Sequence, residues 1–260
     1  MNAAPDPGAA AAAAAGWCAA RLAGIPAAER TIVILTGAGI SAESGLATFR
    51  GPDGLWEGHR VEDVATPEAF ARQPELVHRF YNERRRRLQR VQPNAGHAAL
   101  ARLARGWPAP VHLITQNVDD LHERGGAPSV IHMHGQLTQL RNRVTGEILE
   151  WSGDCWESTP CPRSGATGQL RPHIVWFGEA ILETEAIDAA LERPALFLCA
   201  GTAGAVWPAA GFAGLARERG AAAVEFNLEP TQISDRFHRV VRGAAGETLP
   251  AFVDALLDGV

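Results

Sequence analysis

Apolar positions in this chain fall first into short solid runs and then into spaced stripes. The run at 31–35, Thr31-Ile32-Val33-Ile34-Leu35, is mostly β-branched or aliphatic and stops at Gly37. A continuous run of that length predicts a strand buried on both faces. Similar runs occupy 111–115, 195–200 and 222–227, each followed by small or polar residues. Between them the periodicity predicts helices over 95–105, 187–191 and 211–219, with a closing helix over 249–257. The alanine run at 9–15 reads as a frayed tail leading into a first helix near 17–23. Alternating strands and helices predict an α/β fold, a Rossmann-like doubly wound, mostly parallel sheet. Ligands of such sheets bind beyond the carboxyl ends of the strands.

Two segments break the alternation. Residues 58–92 read as helical and charged, with Pro67 and Pro74 as breakers. Residues 136–172 are polar and rich in Gly, Pro and Trp, as in a small inserted module. The expected division is a main unit over 1–57, 93–135 and 173–260, with insertions at 58–92 and 136–172.

Composition narrows the class. With 260 residues, 46% hydrophobic and 20% charged, the chain is long enough for a full core. A net charge of −5 gives no argument for nucleic acid or an anionic membrane as partner. No apolar run is long enough to span a bilayer, and the N-terminus has no basic leader segment. Four unevenly spaced cysteines suggest no disulfide framework, so a cytoplasmic location is expected. All 24 basic residues are arginine, which fits the codon usage of a GC-rich genome.

The chemistry begins where the first strand ends. Gly37-Ala38-Gly39-Ile40-Ser41-Ala42 fits the loose G-x-G-x-x-A pattern, and Ser41-Ala42-Glu43-Ser44 looks like a helix start. A strand, a glycine turn and a helix N-terminus suit a pyrophosphate, although an ordinary tight turn would read the same way. A dehydrogenase needs a second strand and an acidic residue roughly 20 positions on. Here the interval holds Gly51-Pro52-Asp53-Gly54, which is turn chemistry. A long loop with an aromatic and an arginine suits an enzyme that closes over NAD and breaks it.

At these residues the chain resembles the sirtuins, the NAD-dependent protein lysine deacylases. The matching segments are Gly37–Ser41, Thr48-Phe49-Arg50, Gly54-Leu55-Trp56 and Thr115-Gln116-Asn117-Val118-Asp119. They continue with His134-Gly135, Val175-Trp176-Phe177-Gly178-Glu179, Gly201-Thr202 and Asn227-Leu228-Glu229-Pro230. The resemblance covers about residues 30 to 257. It implies NAD as cofactor and acyl-lysine peptides or proteins as substrates, with a small domain beside the nucleotide domain. The implied reaction transfers the acyl group from lysine to the ribose, releasing nicotinamide and O-acyl-ADP-ribose.

The resemblance also assigns residues. His134 is implied as the general base toward a ribose hydroxyl. A structural histidine, or a metal pair with His132 on the same strand face, are the alternatives that the residues alone leave open. Asn117 is implied to position the nicotinamide ribose and Asp119 the carboxamide, though either residue also suits a helix cap. Phe49, Arg50 and Trp56 belong to the implied covering loop. Gly37, Ala38, Gly39, Ile40, Ser41, Ala42, Gln116, Gly201, Thr202, Ala203, Asn227, Leu228, Glu229 and Ala245 complete the implied cofactor positions. Ala203 stands where the family usually has serine. Glu229 is implied to hold the adenosine ribose.

For the substrate, Val175, Phe177, Gly178 and Glu179 read as an extended template, with a core strand as the bland reading. Val175 and Phe177 would line the acyl-lysine tunnel. Tyr81 and Arg84 share a helix face at i, i+3. Arg84 to Arg87 form a charge run, and such runs are usually solvated. Sirtuins acting on malonyl-, succinyl- or glutaryl-lysine carry a tyrosine and an arginine at this spacing, and Ala65 matches their roomy wall. A guanidinium grips a carboxylate with two hydrogen bonds.

One departure concerns metal. Most sirtuins carry two Cys-x-x-Cys pairs after the His-Gly, forming a structural zinc site. The first pair should fall near 140–145, which reads Leu140-Arg141-Asn142-Arg143-Val144-Thr145. Only Cys155 and Cys161 remain nearby, so zinc is not expected.

Overall fold

The computed structural model describes residues 6–48 and 58–259. The chain opens with α1 (Pro7–Leu22) and β1 (Ile32–Thr36). Four helices follow: α2 (Val61–Val64), α3 (Pro67–Arg72), α4 (Pro74–Leu88) and α5 (Ala95–Gly106). Then come β2 (Val111–Thr115), α6 (Leu121–Arg124) and β3 (Ile131–His132). Three strands, β4 (Gly135–Asn142), β5 (Ile148–Glu150) and β6 (Leu170–Ile174), form the middle of the chain. It closes with α7 (Thr184–Ala190), β7 (Leu196–Ala200), α8 (Ala209–Glu218), β8 (Ala222–Asn227), β9 (Arg239–Arg242) and α9 (Ala245–Asp258). No described helix is long and apolar enough to cross a membrane.

Among the described residues the large sheet runs β3-β2-β1-β7-β8-β9, with every pairing parallel. Every residue of β1 and β7 is buried, because helices cover both faces. Alternation divides β1 between two cores. Ile32 and Ile34 pack with α1, α5 and α9, while Val33 and Leu35 pack with α7 and α8. This is the doubly wound α/β architecture.

The first helix corrects the reading of the alanine run. Asp6 caps α1 by accepting from the Ala9 amide at 3.0 Å, and the helix continues through the alanines without a frayed stretch. Ala11, Ala14, Ala15, Cys18 and Leu22 form a stripe at helical spacing within the core that α9 shares. Alanine is the best helix former, and its small side chain allows close helix contact.

A second, antiparallel sheet has the order β5-β4-β6. One core joins it to α3 and α4 through Phe70, Phe80, Tyr81, Leu137, Ile174 and Trp176. A smaller one holds Leu140, Cys155, Cys161 and Leu170.

Candidate active site

The carboxyl ends of β1, β2, β7 and β8 open into a cavity of about 570 Å³, with the helices after β1 and the second sheet as its other wall. Its floor depends on glycine. A Cβ on Gly37 would stand 2.8 Å from Gly201 O, and one on Gly39 2.7 Å from Gly201 Cα. Gly201 itself has φ +67°, and a Cβ there would meet Ile40 N at 2.3 Å. The turns after β1 and β7 therefore interlock as bare backbone.

The glycine turn differs from the expected one in two respects. The helix after it is a 3₁₀ helix that already begins at Ala38 and ends at Ser44, so it does not start at Ser41. The amides of Gly37 and Gly39 donate to Ala200 O and Gly201 O at 3.0 and 2.7 Å, so they tie the two turns together.

A buried polar network stands behind this floor. Ser41 Oγ donates to Asp119 Oδ2 at 3.0 Å and accepts from Asn117 Nδ2 at 3.2 Å. Asp119 Oδ1 accepts from the Leu121 amide, so this carboxylate both caps the turn into α6 and faces the cavity. Burial pushes Asp119 up to about 6, against the opposing pull of those two hydrogen bonds. His97 Nδ1 accepts from the Asn94 amide, which leaves Nε2–H toward Ser41 Oγ at 3.4 Å. Burial lowers His97 to about 4, keeping it neutral.

His134 follows β3 and lines the cavity. Its Nδ1 lies 2.9 Å from Gln116 O, a partner that can only accept. The proton therefore sits on Nδ1 and Nε2 is left basic. Burial holds its pKa below the ordinary 6.5. His132 is engaged elsewhere, 2.6 Å from Glu123 Oε1. The shared-face metal pair is thus corrected, because β3 ends at His132 and the chain turns before His134. Gln116 Nε2 donates to Thr202 Oγ1, and Asn227 Nδ2 to Thr202 O, linking the ends of β2, β7 and β8.

On the opposite wall, α4 gives its four consecutive arginines four environments. Arg84 is buried and lines the cavity, stacked 3.1 Å from the Phe80 centroid, with Nη1 donating to Phe80 O. Arg85 is also buried and donates to Leu137 O, Gly153 O and Asn82 Oδ1. Arg86 turns outward to Asp154. Arg87 returns to the cavity rim one turn beyond Arg84. Tyr81 and Ala65 line the same wall, and Tyr81 Oη accepts from Trp176 Nε1 at 2.9 Å.

The segment expected as an extended template is not one throughout. β6 stops at Ile174, and the Glu179 amide closes a turn onto Trp176 O with Gly178 at φ +89°. The amides of Val175 and Phe177 donate within the protein, to His134 O and Ala65 O. Glu179 receives a two-pronged ion pair from Arg171 at 2.6 and 3.0 Å, plus the Trp176 amide. Burial alone would raise Glu179, but these partners hold it below the usual carboxylate range. Arg171 also stacks 3.5 Å over Trp176.

Gly37, Ala38, Gly39, Ser41, Gln116, Asn117, Asp119, Gly201, Thr202, Ala203, Asn227 and Glu229 line the cavity, as do Val175, Phe177, Gly178 and Glu179. Four expected positions are not among the lining residues. Ile40 is core, Ala42 is half-buried in the 3₁₀ turn, Leu228 points to solvent at 63% exposure, and Ala245 starts α9. Phe49, Arg50 and Trp56 lie outside the described residues. Arg87, Trp207 and Arg171 were not anticipated. The i+3 step from Arg84 could have found Arg87; nothing local marks the other two.

Among the described residues, no three His, Cys, Asp or Glu side chains converge on a metal position. The residues present do not fit a tetrahedral zinc site.

A family model described as the Sir2 family matches residues 37–208. The chain is 51% identical over 231 residues to an NAD-dependent protein deacylase of Shigella flexneri, covering 88% of this chain and 85% of that one. A Vibrio vulnificus NAD-dependent protein deacylase is 50% identical over 230 residues, covering 88% and 94%. The NAD complex of a Sir2 homologue superposes with TM-score 0.80 at 40% identity, covering 87% of this chain and 89% of that one. Sir2Af2 bound to a myristoylated histone peptide gives TM-score 0.71 at 28% identity, covering 94% and 96%.

Proposed function

The chain belongs to the Sir2 family, and from that premise we propose that it acts on lysines bearing acidic acyl groups. It is an NAD-dependent protein lysine deacylase, and acylated peptides or proteins are its substrates. The acidic-acyl preference rests on one observation: Arg84, Tyr81 and Ala65 line the same cavity as His134. An arginine held in a buried wall recognises a carboxylate far better than a methyl group.

The cavity suits NAD because it lies beyond the carboxyl ends of the parallel strands, over the glycine turns after β1 and β7, with Asn117, Asp119 and Glu229 in its lining. NAD supplies the ribose that receives the acyl group and gives up nicotinamide. The chain's own residues then divide the work. Nε2 of His134 takes a proton from a ribose hydroxyl. Asn117 and Asp119, locked by Ser41, orient the nicotinamide end. Glu229, at the mouth after β8, receives the adenosine ribose hydroxyls. Tyr81 and Arg84 hold the distal carboxylate of the acyl chain.

A plain deacetylase is the second reading. It is favoured by the Arg84 bond to Phe80 O and by its stacking on the Phe80 ring, which give this arginine a structural use. Catalytic efficiencies on acetyl- and succinyl-lysine versions of one peptide separate the two. The proposal expects the succinyl peptide to be turned over more efficiently. An acetyl peptide preferred tenfold or more would reject it, provided nicotinamide release still requires acyl-peptide.

A further inference from the structure

Two turns beside the small sheet are copies of one design. Asn142-Arg143-Val144-Thr145-Gly146 joins β4 to β5, and Cys161-Pro162-Arg163-Ser164-Gly165 precedes β6. Each ends in a glycine in the left-handed region, Gly146 at φ +77° and Gly165 at φ +71°. Each is closed by the glycine amide donating four residues back, to Asn142 O at 2.9 Å and Cys161 O at 2.8 Å. In each, the amides of the third and fourth residues turn in to the side chain of the first. Val144 and Thr145 donate to Asn142 Oδ1 at 2.8 and 3.1 Å. Arg163 and Ser164 donate to Cys161 Sγ.

The two turns face each other. Asn142 Nδ2 donates to Cys161 Sγ at 3.3 Å and to Gln169 Oε1 at 3.3 Å. Ser164 Oγ donates to the same Gln169 Oε1 at 2.7 Å. Asn142 and Cys161 are both buried. Paired turns with ligand positions at i and i+3, their amides aimed at the first side chain, suit a tetrahedral thiolate centre. Here the four positions are Asn142, Thr145, Cys161 and Ser164.

We propose that this is a metal clamp operating without metal, in which the Asn142–Cys161 hydrogen bond replaces the ion as the cross-link between the two turns. The Asn142 carboxamide does two jobs of a bound thiolate. Its oxygen accepts the two turn amides that a sulfur would accept, and its nitrogen reaches across to the opposite turn. The surviving sulfur keeps its cradle, facing the amides of its own turn and accepting from Asn142 Nδ2 of the other. Cys155 has no part in the clamp. It shares the small core with Leu140, Leu170 and Cys161, and its amide donates to Asn82 Oδ1 rather than to either turn. The inference is independent of the acyl preference proposed above, because neither turn lines the cavity.

The test restores the missing ligands. The triple substitution Asn142→Cys, Thr145→Cys and Ser164→Cys, made in the full chain, leaves Cys161 as the fourth thiol. Titrated with cobalt(II), it should take up one ion per chain with a thiolate charge-transfer band, displaced by zinc. Its Tm should become chelator-sensitive. The unmodified protein should purify with less than about a tenth of a zinc per chain and a chelator-indifferent Tm. A triple variant with native far-UV circular dichroism and no metal uptake would overturn the proposal, as would stoichiometric zinc in the unmodified protein. Should the triple variant fail to fold, Asn142→Ala decides through hydrogen exchange. The Arg163 and Ser164 amides of the opposite turn should lose protection while the amides of β1 keep theirs, and unchanged protection at 163 and 164 rejects the cross-link.

Discussion

Ser41 Oγ donates to Asp119 Oδ2 at 3.0 Å, so a hydroxyl from the turn after β1 fixes a carboxylate from the loop after β2. The hydroxyl is fully engaged, donating once and accepting from Asn117 and, at longer range, His97. Asp119 is nonetheless held up near 6 by burial. A carboxyl raised in the fold favours its protonated form. Its contribution to stability is complete below the ordinary value of 3.8 and is lost as pH rises through about 6. Asp119→Asn should therefore gain stability relative to the unmodified protein between pH 4 and pH 7.5, by up to about 3 kcal/mol. Urea unfolding at the two pH values measures the gain, and a difference independent of pH would contradict the burial argument. The same variant should bind NAD more weakly.

His134→Ala should cut turnover by roughly 10²- to 10⁴-fold while NAD binding stays within a few-fold. The proposed base is Nε2, since Nδ1 faces Gln116 O. Burial lowers its pKa, so the imidazole is already neutral at pH 7. Activity should accordingly fall only as pH drops below 6.5, and that acidic limb should disappear in the variant. Retention of more than about a tenth of the activity would assign His134 a structural role.

Arg84→Met should act selectively. Succinyl-lysine loses a charge-assisted contact of roughly 1.5–3 kcal/mol, a ten- to hundredfold fall in efficiency. Acetyl-lysine has no carboxylate to lose and should change little. Equal losses on both peptides would mean that Arg84 acts structurally, through contacts such as the stacking on Phe80 and the bond to Phe80 O.

Glu179→Gln tests the clamp with Arg171. The carboxylate fixes Arg171 and the Trp176 amide together, and so shapes the turn that carries Phe177 and Gly178 into the cavity. Its loss should raise KM for the acyl-peptide several-fold and leave KM for NAD nearly unchanged. Because Glu179 is held low, its stabilising contribution is present above the ordinary 4.5 and lost as pH falls through its lowered value. A variant with an unaltered peptide KM would show that the turn keeps its shape without the ion pair.

Strands and site segments were legible to different degrees, and for physical reasons. Strands β1, β2, β7 and β8 declare themselves because burial on both faces requires unbroken apolar runs. The glycine turn was visible, but its partner was not. Only the fold brings Gly201 onto Gly37 and Gly39, more than 150 positions away. Ser41 and Asp119 are likewise 78 positions apart, and no local pattern joins them. The alanine run misled because composition alone does not separate a tail from a helix with a small buried face. Glu179 lines the cavity, but its ion pair with Arg171 of β6 was not legible, because only the turn after Ile174 brings the two together.

The arginine run on α4 carries a lesson for experiments. A helix turns about 100° per residue, so neighbours in sequence are strangers in space. Arg84 faces the pocket, Arg85 bolts α4 to the β4–β6 side, Arg86 pairs on the surface and Arg87 sits at the rim. Replacing the four as one charged block would remove a cavity-lining cation, a structural bolt and a surface pair in a single stroke. The resulting defect could not be traced to any of them. One-at-a-time replacement is the only scan that reads this helix correctly.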